Sequence, residues 1–104
     1  MAFFYVKLVP PTSTFAIDMS EEERVLMVEH RTHMDRWFAE GKVLLFGPVL
    51  DPAAIYGMAV MECDTIEEVE SIFNEDPSVK SGLNRVEIHP MRIGAAQAPR
   101  KQED

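Results

Sequence analysis

Residues 20–49 read SEEERVLMVEHRTHMDRWFAEGKVLLFGPV, and this stretch decides the architecture. Ser20 and Glu23 have capping-box spacing, in which a serine hydroxyl and a glutamate carboxylate satisfy free N–H groups at a helix start. Glu21, Glu22 and Glu23 put negative charge at the positive end of the helix dipole. Beyond them Leu26, Met27, His30, Met34, Trp37 and Phe38 recur at helical periodicity and define one apolar face. Gly41 is a natural stop, because the residue closing a helix often needs a left-handed backbone. The pattern then changes. Lys42 to Val49 is a short, mostly apolar run that reads as a strand, with Gly47-Pro48 near its end.

Working outward, Phe3 to Val9 is rich in aromatic and β-branched residues and reads as the first strand. Pro10 and Pro11 end it, since proline lacks the N–H that a central strand needs. Thr12 to Met19 is a loop long enough to cover a site. Downstream, Asp51-Pro52 marks a turn and Ile55 to Cys63 a third strand. Asp64 or Thr65 caps a second helix running to about Asn74, with Val69, Ile72 and Phe73 inward and Pro77 closing it. Asn84 to Ile93 is the fourth strand. The expectation is one domain over residues 1–94 and a flexible tail over 95–104.

The order strand, helix, strand, strand, helix, strand is the ferredoxin-like βαββαβ pattern. It predicts an α+β fold with two helices on one face of a four-stranded antiparallel sheet. The other face is then bare. Yet Phe3, Phe4, Tyr5, Val6, Leu8 and Val9 barely alternate, and Val43, Leu44, Leu45 and Phe46 are consecutive. Continuous apolar strands are normally buried on both sides. A second copy packed sheet to sheet supplies the missing layer, so a homodimer is expected.

Composition narrows the partners. The 104 residues carry 18 acidic and 10 basic side chains, a formal charge of −8. Phosphate binding needs a concentrated basic surface, so nucleic acid is disfavoured, as are anionic membrane surfaces. No apolar run approaches the roughly 20 residues of a membrane span, and Met1 to Lys7 does not open a secretory signal. A cytoplasmic location is the default expectation. With one cysteine, Cys63, no intramolecular disulfide forms. Its two readings are a thiol nucleophile and a small apolar residue at a strand end; the second is favoured.

His30 is the most informative residue. It sits mid-face among Leu26, Met34 and Trp37, where an imidazole needs a partner for its ring nitrogens. It is either a core histidine bonded to a backbone carbonyl or a general acid/base in a partly desolvated pocket. His33, three residues on, has chelating spacing with His30, but no third ligand accompanies the pair, and no bound metal is expected. Asp76 precedes Pro77. It is either a local helix-end residue or a carboxylate that orients an imidazole, as in hydrolase triads. No P-loop, Gly-x-Gly-x-x-Gly or Gly-x-Ser-x-Gly motif is present. No cofactor is expected.

His30, then Gly41, an apolar strand and Gly47-Pro48, resembles the first signature of the YCII-related proteins. Asp76-Pro77 followed by Gly82-Leu83 resembles the second, and Val86 to Met91 is similar to the family's closing strand. The resemblance covers residues 1–93. It implies a dimeric α+β barrel built on the ferredoxin-like fold. It also implies a His–Asp acid/base pair in a pocket, which maps here to His30 and Asp76. One branch resembles a dehydrochlorinase acting on chlorinated hydroquinones. Ser78 departs from the pattern, which often has an aromatic residue there. Candidate substrate contacts are His33, Trp37, Gly47, Pro48 and Ser78.

Three functions follow as expectations. The first is a cofactor-independent lyase or isomerase that moves protons on a small aromatic or enolic substrate through His30 and Asp76. The second is a non-catalytic small-molecule-binding dimer. The third is a cofactor-free monooxygenase of the same fold, for which fold alone is a weak warrant.

Overall fold

The computed structural model describes residues 1–100. The chain runs β1 (Ala2–Val9), α1 (Phe15–Asp18), α2 (Glu21–Ala39), β2 (Val43–Val49), β3 (Tyr56–Cys63), α3 (Ile66–Asn74), α4 (Pro77–Lys80) and β4 (Arg85–Met91). The start of α2 is a complete capping box. The Ser20 hydroxyl accepts the Glu23 N–H, and the Glu23 carboxylate accepts the Ser20 N–H at 2.8 Å. Its end is a Schellman motif: Lys42 N–H donates to Trp37 C=O and Gly41 N–H to Phe38 C=O. Gly41 takes the left-handed conformation this requires, at φ +81°. Of the expected tail, residues 95–100 form no helix or strand, and 101–104 lie outside the described residues.

The four strands form one antiparallel sheet in the order β2-β3-β1-β4. This is the α+β, ferredoxin-like fold that the element order predicts. Helices α2 and α3 cover one face. There Phe4 and Val6 of β1 and Met61 and Cys63 of β3 pack with Met34 of α2 and Val69, Ile72 and Phe73 of α3. Along β1 every second residue is buried, so Phe3, Tyr5, Lys7 and Val9 stand on the face away from the helices. Among the described residues no helix is long and apolar enough to cross a membrane.

Several local expectations need correction. The Thr12–Met19 segment holds the one-turn helix α1, whose Phe15 is buried. Pro77 does not close the second helix, which ends at Asn74. It opens α4 as the first helical residue, where a missing N–H costs nothing. Phe38 is not on the buried face of α2 but 53% exposed, its ring lying 6.2 Å from that of Phe46. Strand β2 is less uniformly buried than its apolar run suggests. Its register with β3 shifts between Val43 and Leu45, a β-bulge, and Leu44 and Leu45 are both exposed. The extra residue rephases the strand. Val43 pairs with Met61 and Phe46 with Ala59, all facing the helices, while Leu45 pairs with Val60 on the open face.

Candidate active site

Between α2 and the sheet, beneath the β1–α2 connection, lies a cavity of about 480 Å³. Its walls are mostly apolar. Met27 and Met34 of α2, Val6 and Leu8 of β1, and Phe15 of α1 contribute, and Phe46 and Pro48 reach it from β2. Ligand sites are commonly concave and apolar with a few placed polar groups. Here those groups are His30, Arg31, Tyr56 and Asn84. Gly57 also lines it, and a Cβ there would come within 3.1 Å of the Leu8 side chain.

His30 enters from the middle of α2. Its Nδ1 lies 2.6 Å from Oδ2 of Asp76, whose side chain is fully buried, while the imidazole is 15% exposed. Local chemistry holds Asp76 in place. It is the N-cap of α4, with extended backbone, and Oδ1 accepts the Ser78 N–H at 2.9 Å and the Ser78 hydroxyl at 3.0 Å. The two carboxylate oxygens thus divide their partners, one serving the helix start and the other the imidazole. Burial pushes the Asp76 pKa up. The hydrogen bond and charge of His30, then the two Ser78 donors, outweigh that and hold it below the usual value. An ionised carboxylate only accepts, so the His30 Nδ1 carries the hydrogen and Nε2 is the ring nitrogen left for other work.

The remaining sequence candidates separate. Gly47 and Pro48 line the cavity, whereas His33, Trp37 and Ser78 do not. His33 Nε2–H donates to the Ile72 carbonyl at 2.8 Å, tying α2 to α3, and its ring meets Trp37 edge-on. His30 and His33 are therefore directed to different partners. Among the described residues no three His, Cys, Asp or Glu side chains gather as a metal site. Trp37 packs against the core, and its Nε1 is buried without a hydrogen-bond partner among the described residues. Ser78 is fully buried behind Asp76. Cys63 is also fully buried, and burial, then the Glu68 carboxylate, raises its pKa to about 11. That leaves a protonated core thiol near neutral pH, not a nucleophile.

Sequence reasoning missed Asn84, Arg31, Tyr56 and Phe15 in the cavity. Arg31 follows His30, with its carboxylate neighbour Asp35 one helical turn on, and carries no motif that marks it. In the structure it bonds Asp35 at 3.0 Å while its guanidinium lies over the Phe46 ring. Asn84 is the expected first residue of the fourth strand, which begins at Arg85 in the structure, and it carries no motif; only the three-dimensional structure brings it to α2.

Fold and site together define a ferredoxin-like α+β protein with a histidine–carboxylate pair at the wall of a small apolar cavity. The YCII-related domain model matches residues 3–92, and the chain belongs to the YCII-related family. A relative, the uncharacterized protein YjpA of Bacillus subtilis (strain 168), is 36% identical over 64 residues, covering 62% of this chain and 73% of its own. Among solved structures, 5-chloro-2-hydroxyhydroquinone dehydrochlorinase (TftG) from Burkholderia phenoliruptrix AC1100, in complex with 2,5-dihydroxybenzoquinone, superposes with a TM-score of 0.68. The match covers 88% of this chain and 95% of that one, at 18% identity, a likeness of fold.

Proposed function

We propose that this protein is a cofactor-independent acid/base enzyme of lyase or isomerase type, acting on a small aromatic or enolic substrate. The observation that carries the proposal is the 2.6 Å contact of His30 Nδ1 with buried Asp76 beside an apolar cavity. Asp76 fixes the tautomer, so Nε2 offers its lone pair to a substrate proton. As that proton transfers, the imidazolium that forms is stabilised by the adjacent carboxylate. Return of the proton to another substrate atom completes an isomerisation. If the freed electron pair instead expels a leaving group, the outcome is elimination. The dehydrochlorinase activity named for the structural relative supports the second course.

The test is proton exchange. The protein is incubated in D₂O with 5-chloro-2-hydroxyhydroquinone and with simple enolisable ketones, following chloride release and deuterium uptake. Wild type is expected to accelerate at least one process and His30→Gln to abolish it. Binding with no exchange or release would instead support a non-catalytic binding module.

The same reading includes a homodimer. The open sheet face carries Phe3, Tyr5 and Val9 of β1 and Met58 and Val60 of β3, all half-buried in the single chain. Tyr5 and His89 stack there at 6.2 Å. Face-to-face packing of two copies removes this apolar surface from water. Sedimentation equilibrium at micromolar concentration should give twice the 11.8 kDa chain mass.

A further inference from the structure

Asn84 is 4% exposed and lines the cavity, yet its carboxamide is poorly served. Its backbone N–H is accounted for, donating to the Ser78 carbonyl at 2.8 Å. Its side chain caps no helix. Among the described residues the amide has one hydrogen-bond partner, the Met27 sulfur at 3.3 Å, and a thioether is a weak acceptor. A carboxamide has two donor hydrogens and an oxygen with two lone pairs, so one weak bond to sulfur leaves most of its hydrogen-bonding capacity for a ligand. The Asp76–Ser78 cluster shows the contrast. Equally buried, it has both carboxylate oxygens engaged.

Position relates that capacity to His30. Met27 precedes His30 by three residues on α2, so the two occupy adjacent turns of one face. The Asn84 amide rests on Met27, and the amide and the imidazole border the same mostly apolar cavity. Among the described residues no carboxylate lines the cavity, which disfavours an ammonium group. An amide donates to and accepts from a hydroxyl or carbonyl oxygen equally well.

We infer that Asn84 is a ligand-recognition residue whose carboxamide binds a hydroxyl or carbonyl oxygen of the substrate other than the atom that His30 serves. This rests on the proposed acid/base cavity and extends it. The substrate class becomes small, planar compounds with two separated oxygen functions. One oxygen or its neighbouring carbon meets the imidazole and the other meets the amide.

Hydroquinone and phenol are the matched probes, since they differ by the remote hydroxyl alone. Their dissociation constants are measured by calorimetry or NMR titration on the full-length protein. Wild type should prefer hydroquinone by about tenfold or more, because a site built for a hydroxyl discriminates against the analogue lacking it. Asn84→Leu should bring the ratio to within about twofold by weakening hydroquinone alone. Should Asn84→Leu not fold, Asn84→Ala, which merely enlarges the cavity, must show the same collapse. A preference that survives either Asn84 variant, or wild type binding both probes equally, overturns the assignment while leaving the acid/base reading intact. Failure of both probes to bind wild type, with no cavity signals shifting at millimolar concentration, overturns the cavity reading and this inference together.

Discussion

Two hollows flank α3, and they differ in kind. The larger, about 650 Å³, is a groove between α3 and β4, lined by Glu67, Glu70, Glu75, Ser71 and Asn74 above Val86 and Ile88. The smaller is the cavity of about 480 Å³ that holds His30. The groove has more carboxylates, yet all are exposed, and among the described residues none has a partner that would set it to a task. The cavity is served by one carboxylate, fully buried and hydrogen-bonded through both oxygens. Chemistry follows from the desolvation and fixed geometry of a charge, not from the number of charges or the volume they surround.

The largest expected difference between the two hollows is in turnover. His30→Gln should lower kcat by about 10²- to 10⁴-fold, the usual worth of a general acid/base. Asp76→Asn should fall in the same range, and the double variant should be little worse than either. Glu70→Gln in the groove should change kcat by less than about twofold. Additive losses in the double variant would break the idea that the pair acts as a unit.

Stability separates the hollows next. Asp76→Ala removes the acceptor for Ser78 and leaves His30 without its partner, which should cost about 3–5 kcal/mol. Glu70→Gln should stay within about 0.5 kcal/mol, as exposed substitutions do. Urea titration of both variants checks this, and a loss under about 1 kcal/mol for Asp76→Ala would show that the pair is not structurally coupled.

The pH dependence has a definite sign. The folded-state pKa of Asp76 lies below its unfolded value, so between the two the unfolded chain binds the extra proton. The resulting stability is fully present above the ordinary aspartate value of about 3.9 and is lost as pH falls through the depressed one. Asp76→Asn should flatten this acid limb. Glu67→Gln should leave it as in wild type, and chemical denaturation across acidic pH distinguishes the two.

The smallest effect is local to α2, where one helix presents two imidazoles. His30 faces a carboxylate and His33 a carbonyl. Asp76→Asn replaces the carboxylate 2.6 Å from His30 Nδ1 with an amide, so the tautomer of that ring is no longer held and its nitrogen NMR shifts should change. His33, bonded to the Ile72 carbonyl, should keep its nitrogen shifts. NMR of the nitrogen-labelled imidazoles follows both rings at once, and equal changes in the two would point to a general rearrangement.

The part of this picture legible in the sequence is the part that regular periodicity and local chemistry encode. The capping box, the apolar face of α2 and the Gly41 stop each leave a residue-type signature. So does a histidine in the middle of an apolar stripe, and an Asp before Pro marks a chain direction change even when its long-range partner is unseen. Short or irregular features leave none. Helices α1 and α4 are single turns, too short for a period to emerge. Phe38 looked buried because the periodic stripe is wider than the surface that actually covers it. His33 and Ser78 looked like ligand contacts, but their polar groups are taken up by Ile72 and Asp76. Asn84 reaches the cavity only because β4 lies beside β1, a pairing between residues far apart in the chain.

The bulge in β2 has an evolutionary corollary. A strand's side chains alternate between two faces like the parity of whole numbers, and the extra residue at Leu44 flips that parity for everything after it. Phe46 and Pro48 belong to the cavity wall only in this frame. Deleting one residue at the bulge would hand their places to neighbours now on the open face, exchanging cavity wall and outer surface in a single step. Within a common fold, a lineage can therefore change what its cavity admits through a one-codon insertion or deletion, where point substitutions would need several coordinated events.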